Sequence, residues 1–374
     1  MRKVIFMFLI LLAAVVSISV YAFNPGFKAP AQKLSGQGAD IKGPQAGSAP
    51  VGENCVAYVG GRGITREEFR FFLLPIKGEM ELEADADDYL TREIFWAGGQ
   101  DGVDPNPAAK NRALDSVHEF AVELLRAQAE GIDTDEEDTR KLNGQIDEYV
   151  RAIGEHIGTD GKEDFERQCG IPVDKYKQVG AENILAQEYE KRQKMKIRPA
   201  GAEVEKYYED NLEIYQEARV RHILIQTGDP DTRQPFPQDR LEGAKQRAYD
   251  LLDRVKKGED MAGLAKQYSE DPGSKYDGGE YVFRRGEMVK EFEDWSFDSR
   301  VGDVGLVKTE FGYHVMKLEG KTSFDDIRAQ VEKDLVGEIY AEQLAQWKKD
   351  PRYKLVINNS VFDSIKVNVP YSPE

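Results

Sequence analysis

An α+β fold is what the sequence predicts: a helical lobe made by N-terminal helices plus a C-terminal helix, with an inserted domain whose small mixed or antiparallel sheet is surrounded by helices. Three observations predict it. Over Ala108 to Glu130, Leu114, Val117, Ala121, Leu124 and Leu125 recur at three- and four-residue steps and form one apolar stripe. Two β-like runs, Ala218-Arg219-Val220-Arg221-His222-Ile223-Leu224-Ile225 and Thr309-Glu310-Phe311-Gly312-Tyr313-His314-Val315-Met316, enclose a mixed stretch. A last long helix carries Phe324, Ile327, Val331, Leu335, Ile339, Leu344 and Trp347. Such a helix cannot bury its stripe alone and needs other elements to pack on.

A chain of 374 residues is too long for one ordinary core, and two or three domains are expected. Hydrophobic residues at 40% and aromatics at 10% are enough for most of it to fold. The formal net charge of −17 argues against a nucleic-acid partner, which needs a basic patch to displace counterions. The two cysteines, Cys55 and Cys169, have no zinc-ligand spacing. They read either as a disulfide or as two unrelated thiols.

Arg2-Lys3 and the apolar run from Val4 read as an export signal over 1–22, cleaved before the mature chain starts, or as an uncut membrane anchor. The run is close to the roughly 20 residues a membrane-spanning helix needs. Residues 23–54, with Pro25, Pro30, Pro44 and Pro50, read as a flexible linker. Cys55 to Val59 is a short strand, Gly60-Gly61 a turn, and Thr65-Arg66-Glu67-Glu68 a capping box opening a helix that Pro75 should end. Further helices are expected over Glu83 to Trp96, Lys141 to Ile153, Glu163 to Cys169, Val173 to Ile197 and Ala202 to Asn211. The acidic run from Asp133 to Asp138 lacks the spaced ligands of a calcium loop and reads as a solvated helix start.

Between the two histidine runs lie Tyr268-Ser269-Glu270-Asp271, Gly278-Gly279 and Arg285-Gly286-Glu287-Met288-Val289-Lys290-Glu291-Phe292. This order and spacing over 218–320 resembles the parvulin (PpiC-type) peptidyl-prolyl cis/trans isomerases. The block 55–211, with Val204-Glu205-Lys206-Tyr207-Tyr208-Glu209-Asp210-Asn211 near its end, resembles the N-terminal chaperone region of exported foldases of the SurA, PrsA and PpiD kind. The resemblance also implies that 321–374 supplies a helix and strand packing on that chaperone region.

What the resemblance implies is an exported foldase that rotates X-Pro bonds. The barrier to that rotation is about 18–20 kcal/mol, and no bond is made or broken, so neither cofactor nor metal is needed. The planar amide is more polar than the twisted one, so an apolar pocket favours the twisted form. By resemblance, Met288 and Phe292 form the floor for the proline ring, sharing a helix face if that segment is helical, and Phe311 closes a wall. Tyr281 replaces an apolar residue of the family and narrows or polarises the pocket. His222 and His314 sit side by side at the sheet centre with Thr309 in their network, and Asp271 acts electrostatically on the amide oxygen. Taken singly, each of these residues has an ordinary structural reading; their joint order favours a site. A zinc reading of His222, His314 and Asp271 lacks a clear further ligand. The loop after the first run carries Asp229, Asp231 and Asp239 against Arg233, which disfavours phosphorylated substrates.

The expected partners are unfolded or partly folded exported polypeptides with X-Pro bonds. The expected place is the periplasm, with the protein soluble or tethered to the inner membrane through residues 4–22. A holding chaperone or envelope scaffold with an inactive parvulin lobe is the alternative.

Overall fold

A computed structural model describes residues 54–368 apart from 87, 99–101, 135, 231 and 233. The expected signal or anchor, nearly all of the linker, and Asp231 and Arg233 lie outside the described residues. Among the described residues no helix is long and apolar enough to cross a membrane. In chain order the elements begin with β1 (Cys55–Val59), β2 (Arg62–Thr65), α1 (Arg66–Glu83), α2 (Tyr89–Trp96), α3 (Asn106–Ala129), α4 (Glu136–Ile157), α5 (Lys162–Cys169) and α6 (Val173–Lys194). They continue with α7 (Gly201–Asp210), α8 (Leu212–Tyr215), β3 (Glu217–Gln226), α9 (Gln238–Lys256), α10 (Met261–Tyr268), β4 (Glu280–Arg284), α11 (Lys290–Asp298), β5 (Val304–Lys308) and β6 (Gly312–Lys321). The last are α12 (Phe324–Lys349), β7 (Leu355–Ile357) and α13 (Asn359–Ser364). They form two compact units, one from the residues up to Ile197 together with those from Ile339 onward, the other from Arg198 to Glu338.

In the first unit, β7 pairs antiparallel with β1, giving a three-stranded sheet of order β2-β1-β7. Thr65 caps α1 in a full capping box with Glu68. The helix does not stop at Pro75, as the sequence suggested, but runs on to Glu83. An interior proline costs about 3 kcal/mol. Here Phe69, Phe71, Phe72 and Leu73 before it, and Ile76 and Met80 after it, are all buried in one core, which offsets that penalty. Tyr340 and Leu344 of α12 enter the same core, and Lys348 pairs with Asp115 and Glu119 of α3. Cys55 and Cys169 are separate thiols, Cys169 buried.

One buried carboxyl of this core, that of Glu123, is bonded to a phenol. Tyr340 Oη donates to Glu123 Oε1 at 2.6 Å. Burial pushes the Glu123 carboxyl up to about 8, with the Tyr340 bond and Lys194 opposing and Glu190 and Glu119 reinforcing.

The second unit holds a four-stranded antiparallel sheet of order β4-β3-β6-β5. Alternation along β3 separates its two faces. Ile223 and Ile225 join Val315 against α9 and α10, through Ala244, Ala248, Leu251 and Leu264. Ala218 and Val220 join Met316 and Leu318 against Phe292 and Phe297 of α11. Helix α7, expected with the chaperone lobe, belongs to this unit: Val204 and Tyr208 pack with Phe324, Ile327 and Val331 of α12. Ser323 and Asp326 cap that helix reciprocally.

The proton on Glu123 gives the first unit a pH dependence of known sign. Unfolded, the carboxyl ionises near 4.5; folded, near 8. The folded state therefore binds more protons between those values, and its stability falls as pH rises through them, by at most roughly 1.4 kcal/mol per unit. Urea unfolding at pH 5, 6.5 and 8 should show a smaller decline for Glu123→Gln than for the wild type; parallel curves would rule out the buried proton.

Candidate active site

The register of the central strands brings the two histidines together. His222 of β3 lies opposite Met316 and His314 of β6 opposite Leu224. Opposed residues share a face, so the histidines are diagonal neighbours on the α11 side of the sheet. Their rings lie 16° from parallel with centroids 5.3 Å apart, and the two Nδ1 atoms are 3.1 Å apart. Phe292 stands edge-on to both imidazoles at 5.3 Å.

Asp271 is delivered by the loop after α10. Ser269 Oγ accepts from the N–H groups of Leu224 and Asp271, at 3.2 and 3.3 Å, and Glu270 N–H donates to the Leu224 carbonyl at 2.8 Å. The loop returns at Gly279, whose carbonyl accepts from His222 N–H at 2.7 Å. Gly279 has φ +78, and a side chain there would strike the His222 carbonyl, so this close return requires glycine.

Asp271 Oδ2 then collects donors. His222 Nε2 is 3.1 Å away, Ser274 N–H 3.1 Å and Tyr281 Oη 3.0 Å, while the Ser274 hydroxyl is also hydrogen-bonded to it. Ser274 Oγ is itself 2.9 Å from His222 Nε2. At the other end, Thr309 Oγ1 is 2.8 Å from His314 Nε2 and accepts from Phe311 N–H at 3.1 Å.

These contacts assign the protons. Burial pushes Asp271 up, but the His222 and Ser274 hydrogen bonds outweigh it and hold the carboxyl well below the usual carboxylate range. An ionised carboxylate only accepts, so His222 Nε2 carries the hydrogen. The facing Nδ1 atoms of His222 and His314 share one hydrogen, and His314 Nε2 and the Thr309 hydroxyl share another. The His314 imidazole is neutral. Burial, and next the neighbouring His222, push His314 down to about 3, with Asp271 opposing.

The structure brings seven of the eight anticipated residues into one connected set: His222, Asp271, Thr309, His314 and Tyr281 by hydrogen bonds, Phe292 by ring contact, and Met288 by packing in the Phe292 cluster. Phe311 joins through its backbone, its side chain 46% exposed. The imidazoles are enclosed, at 2% and 4% exposure. Met288 and Phe292 do not share a helix face, because α11 begins only at Lys290. Gly286, at φ +89, makes a turn and its N–H donates to Glu293 Oε2 at 2.6 Å, and Met288 lies in the bend before Val289, the extended residue that caps the helix. Sequence reasoning missed Ser269 and Ser274. The signal for Ser274 was the run Asp271-Pro272-Gly273-Ser274, an Asx-turn pattern in which the aspartate accepts from N–H groups two and three residues on.

Residues 205–322 match the family model described as the PPIC-type PPIASE domain. The chain is 30% identical over 293 residues to the foldase protein PrsA of Caldanaerobacter subterraneus subsp. tengcongensis, covering 77% of this chain and 81% of that one. It is 35% identical over 156 residues to the chaperone SurA of Chromohalobacter salexigens, covering 40% and 34%. Among solved structures, the peptidylprolyl isomerase (PrsA) from Bacillus cereus aligns at 25% identity and TM-score 0.32, over 68% of this chain and 88% of that one. The long match to a PrsA protein, with the domain match falling on the histidine-bearing sheet, means that this chain belongs to the PrsA foldase family and carries a PpiC-type peptidyl-prolyl isomerase domain.

Proposed function

We propose that X-Pro bonds of unfolded or partly folded exported polypeptides turn against Asp271, beside an apolar surface formed by Met288 and Phe311 and backed by the buried Phe292. The observation that carries this reading is the unbroken chain Thr309–His314–His222–Asp271, enclosed except at Asp271, whose side chain is 15% exposed. A planar amide carries partial negative charge on oxygen, which a neighbouring carboxylate destabilises. The twisted amide has lost that charge and meets no such penalty. Apolar walls act in the same direction. Lowering the barrier by about 4 kcal/mol corresponds to roughly a thousandfold in rate. The enclosed imidazoles and Thr309 serve by holding Asp271 in place.

The first unit is proposed as the part that holds unfolded clients, and its place as outside the cytoplasm, with residues 1–22 either removed or retained as a tether. The family relationship and the apolar start support this reading.

Phe292 is 3% exposed, so its truncation to alanine would open a cavity costing about 3–5 kcal/mol. Met288→Ala and Asp271→Ala are therefore the cleaner probes. Each should lower kcat/KM for an Ala-Pro peptide, followed by NMR exchange, by about tenfold or more. Each should leave suppression of client aggregation by the full chain unchanged. Full isomerase turnover in both variants would remove this site assignment, and wild-type protein without turnover would favour a purely holding lobe.

The neutral His314 has its own signature. His314 titrates near 6.5 when unfolded and near 3 when folded, so the unfolded state binds the extra proton between those values. Stability contributed by this group is present above about 6.5 and is lost as pH falls towards 3. Ring ¹⁵N resonances of His314 should stay those of neutral imidazole at pH 5; an imidazolium signal there contradicts the proton assignment.

A further inference from the structure

We propose that Tyr281 is a positioning residue for Asp271, and that Gly273 is the partner that makes room for its hydroxyl. This role presupposes that Asp271 faces the turning amide, as proposed above.

The donors around Asp271 come from different places. Ser274 belongs to the same turn, three residues on, and Gly273 N–H approaches Oδ1 at 3.3 Å from within it. His222 stands on the neighbouring central strand. Tyr281 reaches in from β4, an edge strand, where it lies opposite Val220. Its ring sits beside the His222 imidazole, centroids 5.3 Å apart at 39°, and its hydroxyl ends on Oδ2 at 3.0 Å. Four hydrogen-bond contacts thus converge on Oδ2 while Oδ1 has one long one. A carboxylate has about four lone-pair directions in total, so this lopsided set fixes which oxygen is tied inward and which is left to act outward. The Tyr281 bond ties the turn to the edge strand β4.

Gly273 supplies a second, separate observation. A Cβ built there would collide with the Tyr281 hydroxyl, the nearest atom it would meet. Gly273 is not among the glycines with left-handed φ, so its backbone would accept a side chain. The space taken by the tyrosine hydroxyl is what alanine at that position would contest. Because that hydroxyl is the far end of a side chain, alanine would displace it from Asp271 without breaking the turn. Burial, and next the Asp271 charge, raise the Tyr281 phenol above its usual range, so it remains a donor wherever the protein is folded.

The test is a four-protein cycle on the full chain: wild type, Gly273→Ala, Tyr281→Phe and the double variant. Both kcat and KM are measured for an Ala-Pro peptide by NMR exchange. Each single variant should lower kcat about three- to tenfold with KM within about twofold. The double variant should be no slower than Tyr281→Phe alone, since phenylalanine has no hydroxyl for the alanine to displace. Additive losses, or a change in KM alone with Tyr281→Phe, would overturn the positioning role and leave Tyr281 as a wall of the pocket. Asp271→Ala is measured alongside. If it keeps full turnover, the site reading itself fails; if it is inactive while Tyr281→Phe matches wild type, only the role given to Tyr281 fails. Unchanged thermal midpoints of the single variants exclude misfolding as the cause of any loss.

Discussion

Two imidazoles that share one hydrogen between facing nitrogens cannot be oriented independently. At 3.1 Å between the Nδ1 atoms of His222 and His314, one must donate and the other accept. That choice propagates outward. An ionised Asp271 makes His222 Nε2 the donor, and the direction of the Nδ1 pair sets the role of His314 Nε2 and with it that of the Thr309 hydroxyl. The set has no independent rotor, and it lies under Phe292 where water cannot replace a missing partner. The fold serves this arrangement. Two central strands supply the rings, the loop after α10 is sewn to β3 through Ser269, and Gly279 lets the chain return close enough to close the loop.

Burial disfavours charge in both units, but the two respond in opposite senses. In the first, Glu123 is an acid that burial keeps protonated, with a phenol as its hydrogen-bond partner. In the second, His314 is a base that burial keeps unprotonated, with another imidazole as its partner. Each group is neutral near pH 7 and each is hydrogen-bonded, so neither carries the desolvation cost of a buried ion. Charges that do stay in the first core are paired: Arg62 binds both Glu68 and Glu182. Raising pH therefore works against one unit, and lowering it works against the other.

How far the chain could be read beforehand follows from the range of the interactions involved. Alternation and spacing are local, so the two histidine strands, the capping box at Thr65 and most helices were legible. Pro75 misled because a local rule was overridden by long-range burial of the aromatic residues around it. Met288 misled because a four-residue step suggests one helix face only where the helix has begun, and Gly286 delays it. The contacts of Tyr281 and Gly273 were invisible, since they form between an edge strand and a turn that no sequence period connects. The pairing of Glu123 with Tyr340, across most of the chain, was out of reach for the same reason.

The order of the units along the chain has a physical consequence of its own. The first unit is discontinuous: β1 near its start pairs with β7, and α12 returns Tyr340 and Leu344 to the core begun by α1 and α3. The whole segment Arg198 to Glu338 lies between those parts. For a flexible loop, the closure penalty grows only logarithmically, by about 0.6 kcal/mol for each doubling of length. A segment that folds on itself shortens the effective loop further. The sheet of the second unit depends on pairings within its own span, β3 with β4 and β6, so its formation does not wait on the first. An inserted domain is thus tolerated at small thermodynamic cost, provided it can form before the last strand arrives to close the first unit.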